Sequence, residues 1–257
     1  MKRENEIVMV DAWQSLKKFT DARIALGRTG VSIPTNEHLQ FKMAHAFARD
    51  AVYTLLDTPQ LQLELTSLHL PHHILQSCAI DKKQYLQRPD LGRQLHPQAI
   101  AILKKENTPI PFDICINITD GLSADAINKH AIPLFRILIP ALKACQFSIA
   151  PICIIENGRV AISDYTGNLI NAKLSIILIG ERPGLSATDS LGVYLTYGPK
   201  VGNTDAFRNC VSNIRPAGLT YETAAKKIIQ LVQASMRLQL TGVELKDNDE
   251  DLISIIQ

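Results

Sequence analysis

Two short loops hold the residues best placed to do chemistry. Gly180-Glu181-Arg182-Pro183-Gly184 follows the apolar run Leu174–Ile179, and Asp120-Gly121-Leu122-Ser123 follows the apolar run Asp113–Thr119. In open α/β sheets ligands bind outside the carboxyl ends of strands, and glycine lets a ligand approach the backbone closely. Glu181 supplies an acceptor there and Arg182 a planar fork of donors. If both loops leave strands of one parallel sheet, they share its edge; each loop alone reads equally well as a solvated turn. A third dense segment, Cys210–Thr220 (CVSNIRPAGLT), is expected as a short loop before the last helix, whose unpaired N–H groups favour polar or anionic ligand groups. Cys210 has no CxxC partner and no basic cluster beside it, so nothing nearby activates it as a nucleophile.

Other arrangements are excluded by what they lack. Gly27-Arg28-Thr29-Gly30 does not continue into the Gly-Lys-Ser/Thr of a phosphate-binding loop, and no GxGxxG follows an expected strand. Ser123 stands where a nucleophile elbow would need a second glycine at Asp125, and it reads instead as a helix cap. His69, His72 and His73 cluster in sequence, but Pro71 breaks the helical spacing two metal ligands would need, and a solvated loop is expected. His38 and His45 lie seven apart on a helix without carboxylates to complete a site, and they read as surface or packing residues.

The elements that must position these residues change character near residue 110. Before it, helical periodicity dominates. Leu39, Met43, Ala44, Phe47, Ala51 and Val52 follow a cap at Thr35, with Glu37 in the first turn. A second helix is expected after Pro89, with Asp90 near its start and Ile100 and Leu103 on one face, fading at Lys104–Asn107. The intervening Thr58–Lys83 reads as loop with short elements. After Pro111 the pattern alternates. A strand is expected at Asp113–Thr119, then a helix capped by Ser123 and a second helical stretch at Leu134–Cys145 broken at Pro140. Strands follow at Ser148–Ile155, Leu174–Ile179 and Gly192–Tyr197. Thr220 caps a long helix that runs to about Leu240 and stops at Gly242. The expected fold class is α/β. A helical N-terminal domain (residues 1–108) precedes a C-terminal α/β domain (109–257) with a mainly parallel, Rossmann-like sheet covered by helices on both faces. The tail from Lys246 is an acidic run ending in apolar residues, either frayed or docked.

Composition narrows the function classes. The 257 residues carry 27 basic and 25 acidic side chains, a formal net charge of +2. That balance, with aromatics at 5%, argues against a nucleic-acid binder. No apolar run has the length of a signal peptide or a membrane span. The 5 cysteines are scattered and odd in number, as in a reduced, cytosolic chain.

Five runs then occur in one order: Ala22–Gly30 (ARIALGRTG), Tyr85–Arg93 (YLQRPDLGR), Asp120–Ser123 (DGLS), Gly180–Gly184 (GERPG) and Cys210–Ile214 (CVSNI). By these the sequence resembles the small (light) subunit of ethanolamine ammonia-lyase, from about residue 11 to residue 243. The resemblance implies a partner in an adenosylcobalamin enzyme. In that family a large subunit with a (β/α)₈ barrel holds ethanolamine and the radical chemistry, and the small subunit covers the cobalamin at the subunit interface. The cobalt–carbon bond breaks homolytically, the adenosyl radical takes a substrate hydrogen, the amino group moves, and acetaldehyde and ammonia leave. The family's cobalamin contacts fall on Val160, Glu181 and Cys210, with backbone contact expected at Val160 and one deletion in Lys200–Asn209 aligning Cys210. Asp-x-His-x-x-Gly is missing, so the cofactor keeps its own dimethylbenzimidazole and the chain needs no cobalt ligand, no metal site and no catalytic residue of its own. Polar loops and backbone suit a corrin rimmed with amides. Many members carry a longer N-terminal segment that directs them into bacterial microcompartments. Here about ten residues precede Asp11-Ala12-Trp13, and the expectation is an enzyme free in the cytoplasm. Two alternatives stay open: a stand-alone enzyme binding a nucleotide at the Glu181 edge, and a structural adaptor without cofactor contact.

Overall fold

The apolar runs that follow residue 110 form the middle of one sheet. A computed structural model describes residues 7–105 and 109–245. Its strands are β1 (His72–Gln76), β2 (Phe112–Thr119), β3 (Ile152–Glu156), β4 (Ala172–Gly180), β5 (Leu191–Tyr197) and β6 (Asn209–Ile214). Its helices are α1 (Thr35–Tyr53), α2 (Thr58–Ser67), α3 (Lys82–Gln87), α4 (Pro97–Leu103), α5 (Ala124–Ala144), α6 (Ile162–Ile170) and α7 (Tyr221–Leu238). The fold is mixed α/β. The sheet has the order β1-β3-β2-β4-β5-β6, parallel through β4, with β5 and β6 added antiparallel.

The central strands read as continuous apolar runs because both faces are covered. On one face Ile114, Ile116 and Ile118 of β2 pack with Ile127, Phe135 and Leu138 of α5 and Ile228 of α7. On the other, Cys115 of β2 and Ile155 of β3 pack with Leu103 of α4 and Ile162 and Ile170 of α6. Helices α5 and α6 follow the neighbouring strands β2 and β3 but cover opposite faces, so the carboxyl edge between these strands is a topological switch point, where α/β proteins bind ligands.

Several expectations are corrected. Thr58–Lys83 holds α2 and β1 and enters α3; β1 pairs with β3, so the sheet takes a strand from before residue 109. The helix expected after Pro89 starts only at Pro97, where His96 accepts a hydrogen bond from the Gln98 N–H at 3.4 Å, while Asp90 precedes a single 3₁₀ turn, Leu91–Arg93. The two helical stretches around residue 134 are one helix, α5, with Pro133 and Pro140 inside it. A buried apolar face offsets the cost of about 3 kcal/mol for an interior proline. Cys210–Ile214 belongs to strand β6, so the expected loop is confined to residues 215–220, and a further helix, α6, precedes β4. Thr35 opens α1 without a side-chain cap. Helix α7 ends at Gln239 in a left-handed conformation, and Gly242 serves instead to let the backbone of Ala206 approach. Helix α1 buries only Ala51, not the apolar stripe its spacing predicts. The tail from Lys246 lies outside the described residues. Among the described residues no helix is long and apolar enough to cross a membrane.

Candidate functional site

The loops after β2 and β4 meet backbone to backbone at the carboxyl edge. Leu122 N–H donates to the Gly180 carbonyl at 3.0 Å. A Cβ on Gly180 would stand 1.9 Å from the Ser123 carbonyl oxygen, and one on Gly121, at φ +55°, would stand 2.4 Å from that of Gly180. Both positions therefore need glycine for space. Ser123 Oγ accepts from Ala126 N–H at 3.3 Å, the expected cap, and donates to the Thr188 carbonyl at 2.8 Å. The loop after β3 is tied to the same edge. Asp120 Oδ1 accepts from Asn157 N–H at 2.7 Å, and Thr119 Oγ1 accepts from Gly158 N–H at 2.9 Å. Lys82, at the start of α3, donates to Asp120 Oδ2 at 2.7 Å and to the Gly121 carbonyl at 2.8 Å.

Tyr85 is buried between two cations. Lys82 Nζ lies 4.9 Å and the Arg159 guanidinium 4.4 Å from its ring centroid, an arrangement favoured by the ring quadrupole. Burial pushes the Tyr85 phenol well above its ordinary range, and Arg159 opposes that shift. Arg159 is held by its N–H to the Gly92 carbonyl at 2.8 Å and by Nη2 to the Tyr85 carbonyl at 2.9 Å. Its Nε is buried with no hydrogen-bond partner. A buried donor in this condition costs free energy unless a ligand or water satisfies it.

Two contiguous depressions open here, sharing Arg159 and Val160. One, of about 280 Å³, is lined by Tyr85, Arg159, Val160, Glu181, Arg182 and Tyr194, among others. The other, of about 640 Å³, runs from Arg93 and Gln94 to Asn203, Thr204 and Asp205. Glu181 folds back over β5: Oε2 accepts from Ser190 Oγ and, at 3.3 Å, from Asn213 N–H. Its Oε1 lies toward Gly192, where a Cβ would be only 2.8 Å away. The Val160 carbonyl accepts from Ser163 N–H at 3.2 Å and Ser163 Oγ at 2.9 Å. A ligand contact at Val160 therefore falls to its N–H or its side chain. Cys210 pairs in register with Tyr194, a lining residue of the first depression. Cys210 is exposed, yet partial desolvation beside Tyr194, with the Glu181 charge nearby, raises its thiol above the ordinary value, so it stays protonated near neutrality.

Val160 and Glu181 thus line one depression, with Cys210 one strand behind through Tyr194. Sequence reasoning missed Lys82, Tyr85, Gly92, Arg159 and Tyr194 as individual residues. Tyr85 and Gly92 lie inside the YLQRPDLGR run and Arg159 beside Val160, which were the available signals; nothing local marked Lys82 or Tyr194. The histidine cluster sits elsewhere, at the amino end of β1. Among the described residues no three His, Cys, Asp or Glu side chains gather as a metal site.

A family model described as the ethanolamine ammonia-lyase light chain (EutC) matches residues 10–246. The chain is 50% identical over 240 residues to the ethanolamine ammonia-lyase small subunit of Azotobacter vinelandii, covering 93% of this chain and 89% of the relative. The protein of the same name from Ralstonia nicotianae is 48% identical over 245 residues, covering 95% and 91%. That from Pseudomonas fluorescens Pf0-1 is 48% identical over 237 residues, covering 91% and 86%.

Proposed function

The chain belongs to the ethanolamine ammonia-lyase light-chain family, subunits of a lyase, and from that premise we propose that it lines an adenosylcobalamin site facing the large subunit. The observation that carries this reading is the convergence of Val160, Glu181 and Arg159 on two joined depressions at the switch-point edge. The residues fit the group. A corrin rim presents neutral amides, and the edge offers one acceptor, a few donors and backbone, with no ligand set for cobalt.

Adenosylcobalamin supplies, when bound, a cleavable cobalt–carbon bond and with it the radical source for converting ethanolamine to acetaldehyde and ammonia. This chain's residues hold and enclose. Glu181 accepts an amide N–H through Oε1 while Ser190 and Asn213 fix Oε2, so its rotamer is set before binding. The Arg159 guanidinium, held on Tyr85, offers a donor to an amide carbonyl where the two depressions meet. Val160 contacts through its N–H or isopropyl group. Tyr194 forms part of the wall of the first depression, and Cys210, paired with it in register, contributes through that neighbour. No acid, base or nucleophile is required of this chain, and the large subunit is its working partner.

The test is the complex co-expressed with the large subunit. Glu181→Ala should lower cobalamin retention on gel filtration by roughly tenfold or more, as expected for losing a charged hydrogen bond, while the two subunits still co-elute. Retention equal to that of the unsubstituted complex would refute the cofactor role and favour a structural adaptor.

A further inference from the structure

We propose that the bare apolar face of α1, with the notch beside it, is the seat on which the large subunit docks; this rests on the reading above. Leu39, Met43 and Phe47 repeat every four residues along α1, and each is more than half exposed, at 57%, 56% and 58%. The segment before α1 adds Trp13 and Phe19, exposed by 68% and 75%. That segment is fastened to the helix: Lys17 pairs with Glu37 at 3.0 Å, Arg23 Nη2 donates to the Glu37 carbonyl at 2.7 Å, and the Arg23 guanidinium lies over Phe41 at 5.3 Å. The apolar side chains are thus presented on a built platform. Contiguous exposed apolar patches of this kind mark interaction sites.

The occupant follows from where the platform leads. A notch of about 550 Å³ separates Met43, Phe47 and Asp50 of α1 from Leu185, Thr188 and Asp189. Those last residues continue directly from the Gly180–Gly184 turn that carries Glu181, and Ser123 Oγ anchors the Thr188 carbonyl at 2.8 Å. A partner closing over the cofactor edge meets, three residues beyond Arg182, the segment that forms the far wall of the notch, and this favours the large subunit over a second copy of this chain. The carboxylates of the notch are already partnered, Asp125 and Asp189 by Lys129 at 2.7 and 3.6 Å and Asp50 by Arg49 at 4.0 Å. The notch therefore carries no excess positive charge to draw an anionic lipid surface. With its charges paired internally, the notch calls for an apolar side chain on the partner.

The double variant Met43→Glu/Phe47→Glu, co-expressed with the large subunit, tests this. It should weaken association at least tenfold by sedimentation, while the lone variant chain keeps the thermal midpoint of the unsubstituted chain because both side chains already face water. Leu39→Glu, one turn away, provides a second, milder variant expected to act in the same direction. Unchanged association in both would overturn the proposal. So would a lone-chain dimer that these substitutions dissociate, or flotation of the lone chain with phosphatidylserine vesicles. Glu181→Ala run in parallel separates the two readings: lost association in the α1 variants with full cobalamin retention in Glu181→Ala upholds the docking surface and removes the cofactor role.

Discussion

Arg208 offers the sharpest energetic test, because all of its donors are used. Nη1 donates to Asp164 Oδ1 at 3.0 Å and to Thr196 Oγ1 at 3.0 Å, Nη2 to Asp164 Oδ2 at 2.7 Å and to the Asn203 carbonyl at 3.2 Å, and Nε to Asp205 Oδ1 at 3.3 Å. The pair is buried, with side-chain exposures of 2% for Arg208 and 1% for Asp164. It fastens α6, β5 and the 203–205 loop that walls the larger depression. Arg208→Met strips the Asp164 carboxylate of its partner in a place water does not reach, a change that costs about 3–5 kcal/mol. For a chain of this size each kcal/mol moves the thermal midpoint by roughly 2–4 °C, so a fall on the order of 10 °C is expected. Pairing it with Asp164→Leu removes both charges, and buried pairs replaced by apolar residues are often neutral, so the double variant should recover to within about 1 kcal/mol. Urea and thermal unfolding of the four proteins in this cycle give the coupling directly. A loss below about 1 kcal/mol for Arg208→Met, or additive costs in the double variant, would refute the argument that the buried charge needs its partner. In the complex, Arg208→Met should also lower cobalamin retention, since the wall of the second depression loses its anchor.

Two further outcomes follow from the same geometry. Gly180→Ala forces a methyl group into the Ser123 carbonyl and should destabilise the chain by about 1–3 kcal/mol or more, read as a lower urea midpoint. His130 is held below its ordinary value by burial, with Asp189 at 3.6 Å opposing the shift. The unfolded chain therefore takes up that proton first as pH falls, so stability is full above about pH 6.5 and declines below it. His130→Gln should flatten the difference in urea midpoint between about pH 7.5 and about pH 5.5; an unchanged slope would remove His130 as its source.

What was legible locally can be traced to particular residues. β2 and β4 announced themselves because Ile114–Ile118 and Leu174–Ile179 are covered on both sides, leaving no polar alternation to blur the run. Ser123 and Thr220 were readable as caps because a cap bonds within three residues of itself. β1 was not, since edge-strand residues such as His72, His73 and Gln76 are only half-buried and show no clean period. α6 was hidden for the opposite reason. Ser163, Asp164 and Thr166 look like solvent-facing residues, yet all are buried: Asp164 accepts from Arg208 and Thr166 donates to Asn117, both distant in sequence, while Ser163 donates to the nearby Val160 carbonyl. In α1 the period was right and the burial wrong, because its cover is not supplied by this chain's own core.

The sequence by itself determined the caps at Ser123 and Thr220, the central strands, the glycine-bound turns and an ordered set of motifs specific enough to indicate the family. Only the tertiary structure decided that Lys82, Tyr85 and Arg159 stand together behind Val160 and Glu181. Lys82 reaches Asp120 across 38 positions and Arg159 reaches Tyr85 across 74. Such contacts depend on β1 lying beside β3 and β3 beside β2. Strand order is set by which faces bury the most apolar surface together, a property of the whole chain that no local spacing encodes.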